Sequence, residues 1–165
     1  MSTLRPPSWP YCAHGADPAT DPIGCRGVHV PSYTACLAHL AETDRDTYLS
    51  GLAPGANIDH RDTHFTEDLL DRLLGALREP TYRNLHLGDA RFEGAQFSGD
   101  AMFRRAQFSG DARFDKAQFS SHAMFDGSQF SGAARFDKAQ FSSHAMFDGS
   151  QFSGAARFDK AQFSS

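Results

Sequence analysis

Through the second half of the chain a single apolar residue type returns on a fixed beat. Phe92, Phe97, Phe103, Phe108, Phe114, Phe119, Phe125, Phe130, Phe136, Phe141, Phe147, Phe152, Phe158 and Phe163 are separated by gaps that alternate between five and six residues. Two places before each ring stands a small residue: Ala90, Ala95, Ala101, Ala106, Ala112, Ala117, Ala123, Ser128, Ala134, Ala139, Ala145, Ser150, Ala156 and Ala161. A helix cannot use this spacing, because a mean step of about 5.5 residues at roughly 100° each puts successive rings on opposite sides of the cylinder. On an extended segment residues two apart share a face, so each small residue and its phenylalanine point the same way. The next small residue follows three or four places later and breaks that alternation. The chain must therefore bend after every phenylalanine, where Ser-Gly, Asp-Gly, Asp-Lys and Ser-Ser pairs supply turn residues. The pattern predicts short extended units stacked on copies of themselves, a solenoid whose aromatic rings form the core.

A longer period lies above the short one. Residues 112–133 are repeated without change as residues 134–155, and 156–165 begin a third copy. Twenty-two residues make four units, which suggests a four-sided coil. Stacked coils would align Phe92, Phe114, Phe136 and Phe158 in one column and Phe97, Phe119, Phe141 and Phe163 in the next. The small-x-Phe unit resembles the motif of the pentapeptide-repeat proteins over roughly residues 85–165. That resemblance implies a mainly β fold, a right-handed four-sided β-solenoid of about 22 residues per coil, with the small residue and the phenylalanine inside. One departure stands out: every second unit carries an extra residue (Asp100, Asp111, His122, Ala133, His144, Ala155), so two corners per coil must widen.

Positions beside each ring point outward and line up from coil to coil. Arg91, Arg113, Arg135 and Arg157 form one file, with Glu93, Asp115, Asp137 and Asp159 beside it. Gln96, Gln118, Gln140 and Gln162 form another that could build an amide ladder. From residue 89 onward nine acidic and nine basic residues cancel, so the net charge of −4 belongs to the N-terminal part. Some pentapeptide-repeat proteins are DNA mimics that occupy a type II topoisomerase, and that role is the alternative function the resemblance implies. It needs a strongly acidic exterior, which this charge balance does not supply. Nor is there a basic stripe for nucleic acid.

Residues 1–55 differ, with seven prolines and all three cysteines. No apolar run is long enough to cross a membrane. The start, MSTLRPPSWPYC, lacks the basic-then-apolar pattern of a secretory leader, which points to the cytoplasm. In a reducing compartment three cysteines do not read as a disulfide framework. They read instead as metal ligands or as buried free thiols. Cys12, Cys25, Cys36 and His39, with His14 as the substitute imidazole, would make a closed tetrahedral zinc site. Glycines beside Cys12-Ala-His14 and Cys25 resemble the tight loops of zinc knuckles. Cys36 and His39 are placed on an expected helix, Ala35–Glu42. A nucleophilic role for Cys36 with His39 lacks any sign of an oxyanion hole or an orienting acid.

Two further helices are expected. One is capped by Asp44 and runs through Leu52. The other spans Thr66–Arg78, with Thr66 as cap and Leu69, Leu70, Leu73, Leu74 and Leu77 on one face. Between them Ala56-Asn57-Ile58-Asp59-His60 reads as a repeat unit with Ile in place of Phe. The solenoid is thus expected over residues 56–165, with the 66–78 helix inserted as a cap. Asp59, His60, Asp62 and His64 offer a second metal set, though alternating polar residues on a strand explain them too. The sequence stops at Ser165 within a copy, which suggests end-to-end association of two molecules or a shortened product. The chain reads as a non-enzymatic scaffold for an unidentified protein partner.

Overall fold

The computed structural model describes residues 5–164. Met1–Leu4 and Ser165, on which the expectations about a leader and an abrupt stop partly rest, lie outside them. Every strand of the solenoid is two residues long, and each pairs in parallel with its counterpart one coil away. Ala90 pairs with Ala112 and Ala112 with Ala134, a shift of one 22-residue period. Four sheets result, one per side. The first joins Ile58–Asp59, Ala90–Arg91, Ala112–Arg113, Ala134–Arg135 and Ala156–Arg157; the second Ala101–Met102, Ala123–Met124 and Ala145–Met146. The third joins His86–Leu87, Gln107–Phe108, Gln129–Phe130 and Gln151–Phe152; the fourth His64–Phe65, Gln96–Phe97, Gln118–Phe119, Gln140–Phe141 and Gln162–Phe163.

The five-and-six rhythm has a backbone cause. After Phe92, Phe103, Phe114 and Phe125 a two-residue corner closes with a hydrogen bond to the phenylalanine carbonyl from the small residue three places on, 3.0 Å for Ala95 to Phe92. Its second residue sits in the left-handed region: Gly94 (φ 70°), Arg105 (54°), Lys116 (61°) and Gly127 (70°). This is the type II turn, which suits glycine best. The alternate corners hold three residues, and the extra one is absorbed into the ladder. Asp111 O accepts from Ala90 N and His122 O from Ala101 N, both at 2.8 Å. Where the extra residue is aspartate its side chain also serves the next coil: Asp111 Oδ1 accepts from Ala133 N at 3.0 Å.

Rings stack within each column and meet edge-on between columns. Phe97 and Phe119 lie 4.8 Å apart and nearly parallel, whereas Phe103 meets Phe114 at 5.5 Å and 83°. Both geometries suit the aromatic quadrupole. Phe92 through Phe141 are fully buried, each contributing about 1.5–3 kcal/mol of transfer energy. The expected core is shorter than the repeat, however. Phe147, Phe152 and Phe158 are half-buried and Phe163 is 56% exposed, because no further ring lies over them among the described residues. The glutamine amides form no ladder either: no hydrogen bond joins them among the described residues, and Gln96, Gln118, Gln140 and Gln162 face solvent.

Two helices precede and interrupt the first coil. Helix α1 spans Glu42–Ser50 and begins two residues before the expected Asp44 cap. Ala41 makes no side-chain cap there, and Glu42 and Asp44 instead lie in the first turn, complementing the helix dipole. Helix α2 spans Glu67–Ala76, with Thr66 Oγ1 accepting from Leu69 N at 3.2 Å. It leaves the first coil after the fourth sheet's strand and takes the place of the second sheet's opening strand. Its buried Leu69, Leu70, Leu73 and Leu74 pack with Phe65 and Phe92 in one core. No helix among the described residues is long and apolar enough to cross a membrane.

Candidate metal centre

The N-terminal part is a bulged hairpin folded onto the first coil. Cys12 N donates to Gly27 O at 2.8 Å, Ala13 N to Cys25 O at 2.8 Å and Cys25 N to His14 O at 3.0 Å, so Cys12 and Cys25 face each other across the two arms. Glycine is demanded at two points. Gly24 (φ 69°) would bring a Cβ to 2.8 Å from the Ala13 and His14 carbonyls, and a Cβ on Gly27 would lie 2.7 Å from that of Cys36. The hairpin is anchored by Val28 N, which donates to Arg61 O at 3.0 Å, and by the Arg61 guanidinium 4.4 Å over the Trp9 ring.

Cys36 and His39 come from the other side, but not on the expected helix. Residues 35–41 contain no α-helix. A single turn forms instead, with His39 N and Leu40 N both donating to Cys36 O at 3.0 Å. Arg45 reaches back and donates to the carbonyls of Leu37, Ala38 and Leu40, and those contacts satisfy groups a continuing helix would have used. Cys36 and Leu37 are completely buried, while His39 is exposed.

The ligand atoms of Cys12, Cys25, Cys36 and His39 all lie within 4.8 Å of one another, a group that could hold a metal ion. Cys12 Sγ is 3.4 Å and Cys36 Sγ 3.3 Å from His39 Nδ1, and the sulfurs of Cys25 and Cys36 are 3.8 Å apart. All three cysteines are free thiols. The hydrogen bond from Cys36 pulls the Cys25 thiol down to about 5, helped by the Gly27 N–H and His39 against the opposing effect of burial. Cys36 moves the other way, because it gives that bond to Cys25 and is desolvated beside it.

The other proposed ligands are elsewhere. His14 lies flat against His39, centroids 4.0 Å apart, where it supports the imidazole ring. Asp59, His60, Asp62 and His64 do not converge. Asp59 pairs with Arg61 at 2.7 Å, His60 is fully buried beside Tyr48, and His64 faces outward. The stacking role of His14 and the clearance at Gly27 were not legible in the sequence, since both depend on how the turn at Cys36 meets the hairpin.

A family model described as pentapeptide repeats (9 copies) matches residues 86–129 and 114–162. No curated protein and no solved structure matches the chain.

Proposed function

We propose, from the premise that residues 86–162 of this chain are pentapeptide repeats, that the protein is a non-catalytic scaffold that presents its rod to a protein partner. The observation that carries this reading is the filling of the solenoid. Interior positions from Ala90 to Phe141 are occupied by small residues and stacked rings, and chemistry-bearing side chains are held outside in ordered files. Such an interior offers stiffness and no reaction chamber. The outer charges are matched: Arg135 contacts both Asp115 and Asp137, and Arg157 both Asp137 and Asp159. A neutralised ladder of this kind counts against the topoisomerase-directed DNA mimic, which requires unpaired acidic charge.

At the head, the Cys₃His group is read as a structural zinc site in a reducing, cytoplasmic setting. Tetrahedral zinc with Zn–S near 2.3 Å and Zn–N near 2.0–2.1 Å requires S···S edges of about 3.8 Å and S···N edges of about 3.6 Å. The 3.8 Å and 3.3–3.4 Å separations come close to both. The lowered Cys25 thiol also suits a nucleophile, but it sits in a closing set of four donors. A bound cation would take that same thiolate.

The scaffold reading is tested by immobilising the intact, metal-loaded protein and measuring stoichiometric retention of a protein from native extract. Loss of retention on reversing Arg113 and Arg135 to glutamate would support it. Turnover of a thiol-reactive ester by the same protein, abolished by Cys25→Ser, would overturn it.

A further inference from the structure

One corner of the solenoid breaks the repeat. After residue 90, the first residue of every two-residue corner is acidic (Glu93, Asp115, Asp126, Asp137, Asp148, Asp159) except at Arg104. The second residue in this column is Gly127 and then Gly149, but one coil earlier it is Arg105, held at φ 54°. Arg105 thus carries a side chain where its own column has glycine, as Lys116, Lys138 and Lys160 do in the neighbouring column (φ 59–61°).

Arg104 and Arg105 open onto the loop that follows α2. Arg78, Tyr82, Arg83 and Met102 are among the residues that line one cleft with them, of about 430 Å³. The loop is braced from within. Arg78 Nη1 donates to Arg83 O at 3.1 Å, and Tyr82 N donates to Glu79 Oε2 at 2.7 Å. Tyr82 is 78% exposed, an aromatic plane at the cleft margin.

The charge of the cleft is out of balance. Elsewhere on the rod each arginine has its carboxylate: Arg91 with Glu93, Arg113 with Asp111, Arg135 with Asp115, Arg157 with Asp159. In the cleft Asp126 meets Arg104 at 3.2 Å, and Asp71 lies within electrostatic reach of Arg78. Among the described residues, Arg78, Arg83 and Arg105 form no ion pair with a carboxylate. Four guanidiniums therefore surround a space that holds one carboxylate.

We infer that this cleft binds a phosphate ester bearing a planar ring, a ligand of nucleotide size. Guanidinium forks match phosphate oxygens two at a time, and a doubly charged phosphate rewards a four-arginine cluster more than a single carboxylate does. Tyr82 offers a stacking face for the ring and Met102 a polarisable contact. The volume lies within the range of small-molecule sites.

The repeat itself supplies the test. Arg104→Asp with Arg105→Gly rewrites this corner as the Asp126-Gly127 corner of the next coil, so the variant is expected to fold at least as well as the parent. Calorimetric titration of both full chains with pyrophosphate and with ADP at low salt should show saturable 1:1 binding to the parent. In the variant both affinities should fall by about tenfold or more, the equivalent of about 1.4 kcal/mol. Tyr82→Ala should weaken ADP while leaving pyrophosphate unchanged. The inference is overturned if the parent binds neither probe at millimolar concentration, or if the variant binds both equally well, as chelation at the cysteine cluster would make it. It is also overturned if a polyglutamate peptide binds more tightly than either probe, which would assign the cleft to an acidic protein segment.

Discussion

Ser128 donates its hydroxyl to the carbonyl oxygen of Phe103 at 2.6 Å, twenty-five residues back in sequence and one coil away in space. Ser128 Oγ in turn accepts from Ala106 N at 3.3 Å. Ala106 is the counterpart of Ser128 one coil earlier, so the hydroxyl is an addition to a site that an alanine methyl already fills. Ser150 repeats the arrangement with Phe125 at 2.6 Å.

Replacing Ser128 with alanine should therefore leave the packing intact and remove one buried bridge. A loss of about 0.5–1.5 kcal/mol is expected from urea unfolding. A loss beyond 3 kcal/mol would mean that the residue does more than join two coils (about twice the upper figure for one bond).

The aromatic columns should respond unequally along their length. Phe114→Ala removes a ring enclosed on all sides and should cost about 3–5 kcal/mol. Phe163→Ala removes one that is 56% exposed, and its cost should stay near 0.5 kcal/mol, as for surface sites. Equal effects in paired denaturation curves would contradict the graded burial.

Metal should be found at the head and depend on all four donors. Purified protein is expected to carry one zinc per chain by elemental analysis, and Cys36→Ser to carry none. Chelation should also shift Trp9 emission to the red. The Trp9 indole donates to Arg26 O at 3.0 Å, within the hairpin that carries Cys12 and Cys25, and lies under Arg61 of the first coil. Unchanged emission after complete metal removal would separate the hairpin's fold from the ion.

His60 should make stability pH-dependent. Burial lowers it from 6.5 to about 4, with Asp59 opposing weakly. Nε2 meets the Tyr48 hydroxyl at 3.0 Å, and Nδ1 has no partner. The unfolded chain takes up this proton first, so the contribution is complete above about pH 6.5 and lost as pH falls toward 4. Asp62, raised to about 6 chiefly by burial, acts with opposite sign over the same interval. The comparison that isolates the histidine is wild type against His60→Gln. Their difference in unfolding free energy should shrink by about 3 kcal/mol between pH 7 and pH 4. A constant difference would show that His60 titrates as in water.

Much of the solenoid was legible because its information is periodic. The alternating gaps gave the bends, and the 22-residue identity gave the register that pairs Ala90 with Ala112. The cap helix was readable too, since Thr66 and its leucines form a local signal. The head was less so. Cys36 and His39 are three residues apart, a spacing that suits a helix face and a tight turn equally well. What decides for the turn is Arg45, whose side chain takes the free carbonyls from eight to five residues away. The unpaired arginines were hidden for a similar reason: balanced totals along the rod conceal a local surplus that only the placement of Arg78 and Arg83 reveals.

The exact duplication of residues 112–133 as 134–155 has a consequence for how such a rod can change. Excising the second copy joins Ala133 to Ala156, a junction whose neighbours read the same as before. Every ring, corner and ladder bond on either side would find the partner it already had. Length is thus adjustable by whole layers, about 4.8 Å at a time, and a genetic slip of one copy alters the reach of the molecule while leaving its contacts unwritten.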